Sequence, residues 1–192
     1  MPKQQTINKP VSLKGVGIHT GDEVNLTFKP AKENYGYCFC RTDLPEKPII
    51  EANIKYVVNT ERGTNLDKNG IKIKTSEHVL AALVGMEIDN VLIEIDAAEP
   101  PIMDGSAKFF VKALQKAGLK QQNKERNEYV VKDVISYHDQ KSGSEIKVIP
   151  SNHYELNVMV DYGDKVVGIQ NATMKKISQF LKQKFLQIKW LN

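Results

Sequence analysis

The chain holds 192 residues, 41% hydrophobic and 26% charged, a balance that supports one large or two small domains and excludes disorder as the dominant state. No apolar run approaches the ~18 residues of a spanning helix, and the polar opening MPKQQTINKPVSLKG lacks the apolar core of a secretory signal, so none is expected. Lys and Arg outnumber Asp and Glu by 27 to 23, but five lysines (Lys175, Lys176, Lys182, Lys184 and Lys189) sit in the last 18 residues, which leaves 22 against 23 for the rest. The basic character therefore belongs to the tail, and no nucleic-acid partner is expected.

In chain order, Val11–Leu13 and Glu23–Phe28 read as strands, the second alternating Val24, Leu26 and Phe28 against polar neighbours. Between them, Gly15-Val16-Gly17-Ile18-His19-Thr20-Gly21 places three glycines in seven residues, the mark of a tight loop. Such a loop fits a plain turn between strands, or a phosphate cradle built from backbone N–H groups. It matches neither the P-loop nor the dinucleotide fingerprint. Tyr37–Arg41 is a short strand whose Cys38 and Cys40 lie on one face. Two apart, they are too close for an ordinary disulfide and lack the C-x-x-C spacing. They read as free thiols in a reducing, cytoplasmic compartment.

Asn69-Gly70 is the strongest short hairpin signal in the chain, with Ile71 and Ile73 on the return strand. The period then changes. Val79, Leu80, Leu83 and Val84 share a helical face, Ser76 or Thr75 is a candidate N-cap, and Gly85 a stop. Val91–Ile95 is a strand broken by Pro100-Pro101. Asp104-Gly105-Ser106 opens a second helix with the stripe Phe109, Phe110, Ala113 and Leu114, ended by Gly118. The polar stretch Lys120–Asn127 is the expected domain boundary. Tyr129–Val134, Glu145–Ile149 and Tyr154–Tyr162 are strand-like, and Lys175–Asn192 has rough helical spacing. The composition of that tail also fits out-of-frame translation of A/T-rich DNA.

Chemistry centres on Glu77-His78 at a helix start. A neutral imidazole ligates zinc, and a neighbouring carboxylate takes the proton of metal-bound water, whose pKa zinc lowers to ~7. The same pair also fits a solvated Glu favoured by the helix dipole beside a surface His. Asp104 reads as an N-cap, and His138 and His153 lie in polar turns without an assigned role.

Taken together, the Gly15–Gly21 loop, Thr75–Leu83, and Ile88-Asp89-Asn90 through Pro101-Ile102-Met103-Asp104-Gly105-Ser106-Ala107 closely resemble the bacterial UDP-3-O-acyl-N-acetylglucosamine deacetylase family, the zinc enzymes of lipid A synthesis. Arg41-Thr42-Asp43-Leu44 is similar to that family as well. The resemblance covers residues 1 to about 173, and Tyr154–Thr173 resembles the Bacteroidetes-type version, often fused to a hydroxyacyl-carrier-protein dehydratase.

The resemblance implies an α+β fold with a two-layer sheet-and-helix N-terminal domain over residues 1–121. An incomplete second copy of similar architecture follows over 122–173, then a divergent basic tail over 174–192. It implies a zinc-dependent amide hydrolase acting on a UDP-sugar acyl substrate, with Glu77 as general base and His78 as zinc ligand. His19, Arg62 and Gly63 match loops beside the site and are assigned to substrate binding; Asp104 is structural. The family's other two ligands, its Arg-Thr-Phe-x-Phe segment and its general-acid His come from late in the second domain. After Asn171-Ala172-Thr173 this sequence leaves that pattern. The expectation is a truncated or frame-shifted chain, inactive by itself. The alternative is a non-catalytic remnant or interaction module whose basic helical tail binds nucleic acid or anionic lipid.

Overall fold

A computed structural model describes residues 2–163 and 165–175. The expected tail helix therefore lies outside the described residues. The chain divides into two units after Arg126.

The first unit runs β1 (Lys3–Ile7), β2 (Val11–Val16), β3 (Glu23–Pro30), β4 (Tyr37–Arg41), β5 (Ile49–Glu51), a 3-10 turn (Ile54–Tyr56), β6 (Val57–Asn59), β7 (Asn65–Lys68), β8 (Ile71–Ile73), α1 (Glu77–Gly85), β9 (Val91–Ile95), α2 (Lys108–Ala117) and β10 (Leu119–Glu125). A five-stranded sheet of order β2-β3-β9-β4-β5 is its centre. β4 and β9 are parallel and the other pairs antiparallel. The alternation of β3 puts Val24, Leu26 and Phe28 wholly inside, and β9 does the same with Val91, Ile93 and Ile95. These side chains pack with Val79, Ala82 and Leu83 of α1 and Phe110 and Leu114 of α2. Phe28 and Phe110 meet edge to face with centroids 6.4 Å apart, a geometry that adds attraction beyond area burial.

Both helices sit where the periodicity places them, but rotated. On α1 the buried face is His78, Val79, Ala82 and Leu83, and Val84 is exposed. On α2, Phe110, Val111, Ala113, Leu114 and Ala117 are buried and Phe109 faces outward. α1 is apolar almost all round, so periodicity alone could not choose its face; contact with the sheet did.

The caps also differ from expectation. Ser76 is the N-cap of α1, as expected, but its side chain caps no amide: the hydroxyl donates to the Thr64 carbonyl at 2.9 Å, and the Ser76 N–H to the same oxygen at 3.1 Å. Asp104 Oδ1 accepts from the Ser106 N–H and hydroxyl, and Ser106 Oγ in turn accepts from the Lys108 N–H at 3.2 Å. Asn69 and Gly70, at φ 56° and 82°, form the two-residue turn joining β7 to β8.

Most of the polar stretch Lys120–Asn127 is a strand, and the division between the units falls near its end. β10 pairs antiparallel with β1. The strand pair is sealed by amides: Asn90 Nδ2 donates to Gln4 Oε1 at 2.9 Å and to Gln122 Oε1 at 2.7 Å. Arg126 closes the unit with two bonds to the Asp89 carboxylate at 2.7 and 2.9 Å. An apolar-periodicity reading cannot see such a strand, because nearly all its side chains are polar and exposed and it is held by backbone pairing and the Gln122 amide.

Among the described residues, the second unit holds two antiparallel hairpins, β11 (Ile135–His138) with β12 (Glu145–Val148), and β13 (Glu155–Asp161) with β14 (Ile169–Lys175). The expected strand over Tyr129–Val134 does not form. Tyr137, Ile146, Met159 and Ile169 are all exposed. No helix among the described residues is long and apolar enough to cross a membrane.

Candidate functional site

Three connections and one helix start meet in the first unit: the β2–β3 loop, the β6–β7 turn, the segment after β9, and the first turn of α1. The β2–β3 loop closes on itself, with the Gly21 N–H on the Gly17 carbonyl and the Gly17 N–H on the Asp22 carbonyl, both at 3.0 Å. Gly17 is there for space. A Cβ on it would lie 2.5 Å from Thr20 Oγ1 and 2.7 Å from Glu99 Oε2. The loop presents His19 to solvent, and its Nε2–H donates to the Arg62 carbonyl at 3.3 Å.

Arg62 and Gly63 therefore stand beside His19. Arg62 is in the left-handed region at φ 59°. A Cβ on Gly63 would meet Thr75 Cα at 3.4 Å and Glu77 Oε1 at 3.6 Å, so the turn packs directly on the start of α1. The Thr64 N–H donates to Glu77 Oε2 at 2.8 Å. Glu77 Oε1 lies 3.8 Å from Nε2 of His78; the imidazole is buried and the carboxylate half-buried. The five residues singled out from the sequence thus fall into one neighbourhood of the first unit.

Thr75 holds this start in place. It is β-branched yet adopts φ 50°, a strained conformation that costs on the order of 1–3 kcal/mol and persists only when its surroundings enforce it. Its N–H donates to Asn65 Oδ1 at 3.2 Å and its hydroxyl to Glu99 Oε1 at 2.7 Å. Glu99 is wholly buried, and no cation pairs with it among the described residues. Its other oxygen, Oε2, accepts the N–H of His19 at 3.0 Å and of Thr20 at 2.9 Å. Burial alone would push this carboxyl up; the Thr75 hydroxyl, the two amides and the Thr20 hydroxyl outweigh it and hold it below the ordinary glutamate value. Sequence reasoning passed over Glu99. The available signal was a lone acid in the otherwise uncharged run Ala97-Ala98-Glu99-Pro100-Pro101.

The remaining candidates stand apart from this cluster in role. Asp104 spends its carboxylate on Ser106, which holds it below the usual carboxylate range. The Cys38 and Cys40 thiols donate to the carbonyls of Tyr35 and Lys47, and burial pushes both up, so they stay protonated. His153 pairs with Glu155 in the second unit. The β2 end and Met103 border a hollow of about 340 Å³ that contains none of the five site residues.

The site thus offers one imidazole and one adjacent carboxylate beside a glycine-rich loop. A catalytic zinc needs about three protein ligands plus water. Among the described residues, no group of three or more His, Cys, Asp or Glu could hold a metal. These residues alone do not complete a zinc site.

Compared with known families, the sequence matches the model of UDP-3-O-acyl N-acetylglycosamine deacetylase over residues 4–187. The match runs beyond Thr173, where the motif resemblance stops, and into the basic tail. The bifunctional enzyme LpxC/FabZ of Bacteroides thetaiotaomicron is 41% identical over 94% of this chain and 39% of its own length. That of Chlorobaculum tepidum is 40% identical over 94% of this chain and 39% of its own length. The UDP-3-O-acyl-N-acetylglucosamine deacetylase of Myxococcus xanthus is 38% identical over 88% of this chain and 53% of its own length. The chain spans about two-fifths of the bifunctional relatives and about half of the single-function one.

Proposed function

The chain belongs to the UDP-3-O-acyl-N-acetylglucosamine deacetylase family, and on that premise we propose that its first unit carries the N-terminal share of that family's active site. The reaction in this reading is zinc-dependent hydrolysis of the N-acetyl amide of a UDP-linked 3-O-acylglucosamine, a step of lipid A biosynthesis. The observation that supports it most is the convergence of His19, Arg62, Gly63, Glu77 and His78 around the first turn of α1. Glu77 is the general base, His78 a metal ligand, and His19 with the Arg62-Gly63 turn contacts substrate. The stretch read from the sequence as 122–173 opens a second α+β domain of similar architecture, its described part beyond Arg126 lying in the second unit. Free thiols at Cys38 and Cys40 fit a reducing cytoplasm.

The chain's own residues define what this half-site can do. The Thr64 amide engages one Glu77 oxygen and orients the carboxylate, leaving Oε1 on the His78 side to receive a proton. With one imidazole in place of a three-ligand set, zinc should bind weakly, and isothermal titration of the purified chain checks this. Tight stoichiometric zinc binding abolished by His78→Ala would show that residues outside the described set complete the site.

The deciding experiment fuses the remainder of the Bacteroides thetaiotaomicron relative behind residue 173 and assays deacetylation. Glu77→Ala should lower kcat about 10²–10⁴-fold with zinc content kept. His78→Ala should lower kcat and zinc content together. A Glu77→Ala chimera with undiminished kcat overturns the assignment.

A further inference from the structure

Glu99 is an unusual use of a carboxylate. It is wholly buried, faces no cation among the described residues, and divides its two oxygens between two different parts of the chain. One oxygen holds the amides of His19 and Thr20; the other holds the hydroxyl of Thr75, whose backbone sits at φ 50°. The approach is close enough that Gly17 admits no side chain. Only a group with two accepting oxygens on one carbon can hold two amides on one side and a hydroxyl donor on the other. We propose that Glu99 is a positioning residue, a clamp that fixes the His19 loop relative to the start of α1 and so keeps His19 in register with Glu77 and His78.

The link to the helix runs through Thr75. Two residues on, Glu77 holds the Thr64 amide, and Ser76 holds the Thr64 carbonyl. Release of Thr75 from Glu99 frees a strained residue to relax, and the pairing of Thr64 with the helix start loosens with it. The clamp deepens the deacetylase reading, because it takes His19, Glu77 and His78 as one site.

Amide hydrogen exchange by NMR on the full 192-residue chain, without metal or substrate, tests the clamp. Glu99→Ala should speed exchange at His19, Thr20 and Thr64 by about tenfold each. It should shift the His19 imidazole resonances and leave the amide of Ile93, in the sheet core, unchanged. Glu99→Gln keeps an acceptor for the two loop amides, and the Thr75 hydroxyl can rotate to accept from the new amide, so it should restore most of the protection. Thr6→Val, which removes a buried hydrogen bond donated to the Asn90 carbonyl and one accepted from the Ala31 amide elsewhere in the unit, is the control for plain destabilisation and should leave the three site amides unchanged.

Unchanged exchange in Glu99→Ala overturns the proposal. So does an equal response in Thr6→Val, or a response at His19 and Thr20 that never reaches Thr64. Should Glu99→Ala fail to fold, Thr75→Val severs only the helix side: faster exchange at Thr64 with His19 and Thr20 still protected supports the clamp, and an unmoved Thr64 refutes it. Failure of the clamp leaves the chimera's activity untouched, so the two readings fall separately.

Discussion

The two units begin with the same kind of sequence, short apolar-alternating strands joined by polar turns, and end in different physical states. In the first, β3 and β9 place their inward residues under α1 and α2, and Phe28, Phe39, Ile93 and Phe110 are wholly excluded from water. In the second, the described strands β11 to β14 pair as two hairpins, and Met159 remains 69% exposed. A two-stranded ribbon without a covering layer is marginal in water. Among the described residues, what separates the units is the helical layer: the alternation of a strand announces a face to bury, and only a second layer buries it. Every residue of the proposed site lies in the unit that has that layer, consistent with the need to hold catalytic groups on a rigid scaffold.

The largest expected effect follows from that contrast. Phe110→Ala empties a wholly buried, edge-to-face site and should destabilise the first unit by about 3–5 kcal/mol. Met159→Ala on the exposed β13 should change stability by less than about 0.5 kcal/mol. Urea titration followed by residue-resolved NMR reads both. A comparable loss for Met159→Ala would show that the second unit has an interior of its own. Limited proteolysis sharpens the same comparison, with cleavage expected first in residues 127–163.

Much of the first unit was legible because its physics is local. Val24, Leu26 and Phe28 state their period, Asn69-Gly70 states its turn, and Gly118, at φ 72°, ends α2 as its residue type foretells. The rotation of α1 was not legible, since a helix of Val, Leu and Ala has no strongly polar side to exclude. β10 was hidden for the opposite reason: nearly all its side chains are polar and exposed, and Gln122 is held by the Asn90 amide in place of hydrocarbon contact. The candidate site residues were named through a resemblance, carried by Glu77-His78 and the glycine loop. Their meeting place depends on Glu99, whose bonds span 80, 79 and 24 residues of sequence. No local pattern encodes contacts of that range.

A middle-sized effect concerns the seam at which the first unit ends. Arg126 binds both oxygens of Asp89, and Asp89 Oδ2 also accepts the Gln5 amide at 2.7 Å, tying β10 to β1 and to the turn after α1. Both side chains are about four-fifths covered. Asp89→Ala leaves the guanidinium and the Gln5 amide without this carboxylate and should cost about 1.5–3 kcal/mol. The loss should appear as faster exchange across β1 and β10, with β11 to β14 unaffected. Equal loosening of the second unit would show that the seam couples the two, against the division at Arg126.

The smallest effect is the response to acid, which has the same sign in both units but a different weight. Glu99 is held below the ordinary glutamate value of 4.5 despite its burial, through the Thr75 hydroxyl, two loop amides and the Thr20 hydroxyl. Because the folded value lies below the unfolded one, this carboxylate contributes stability in full above 4.5 and loses it as pH falls through the folded value. Glu155 in the second unit is also held low, first by His153 and then by Lys175, but these are exposed pairs that water and salt screen. The urea midpoint of the first unit should therefore decline as pH drops below 4.5, and Glu99→Gln should flatten that decline while leaving the second unit's response unchanged. Added salt should weaken the Glu155 contribution and spare that of Glu99, since screening ions reach an exposed pair but not a buried carboxylate. A decline equally steep in Glu99→Gln would assign the acid sensitivity to other carboxylates, with Asp43, held low by Arg41, the first to test by Asp43→Asn.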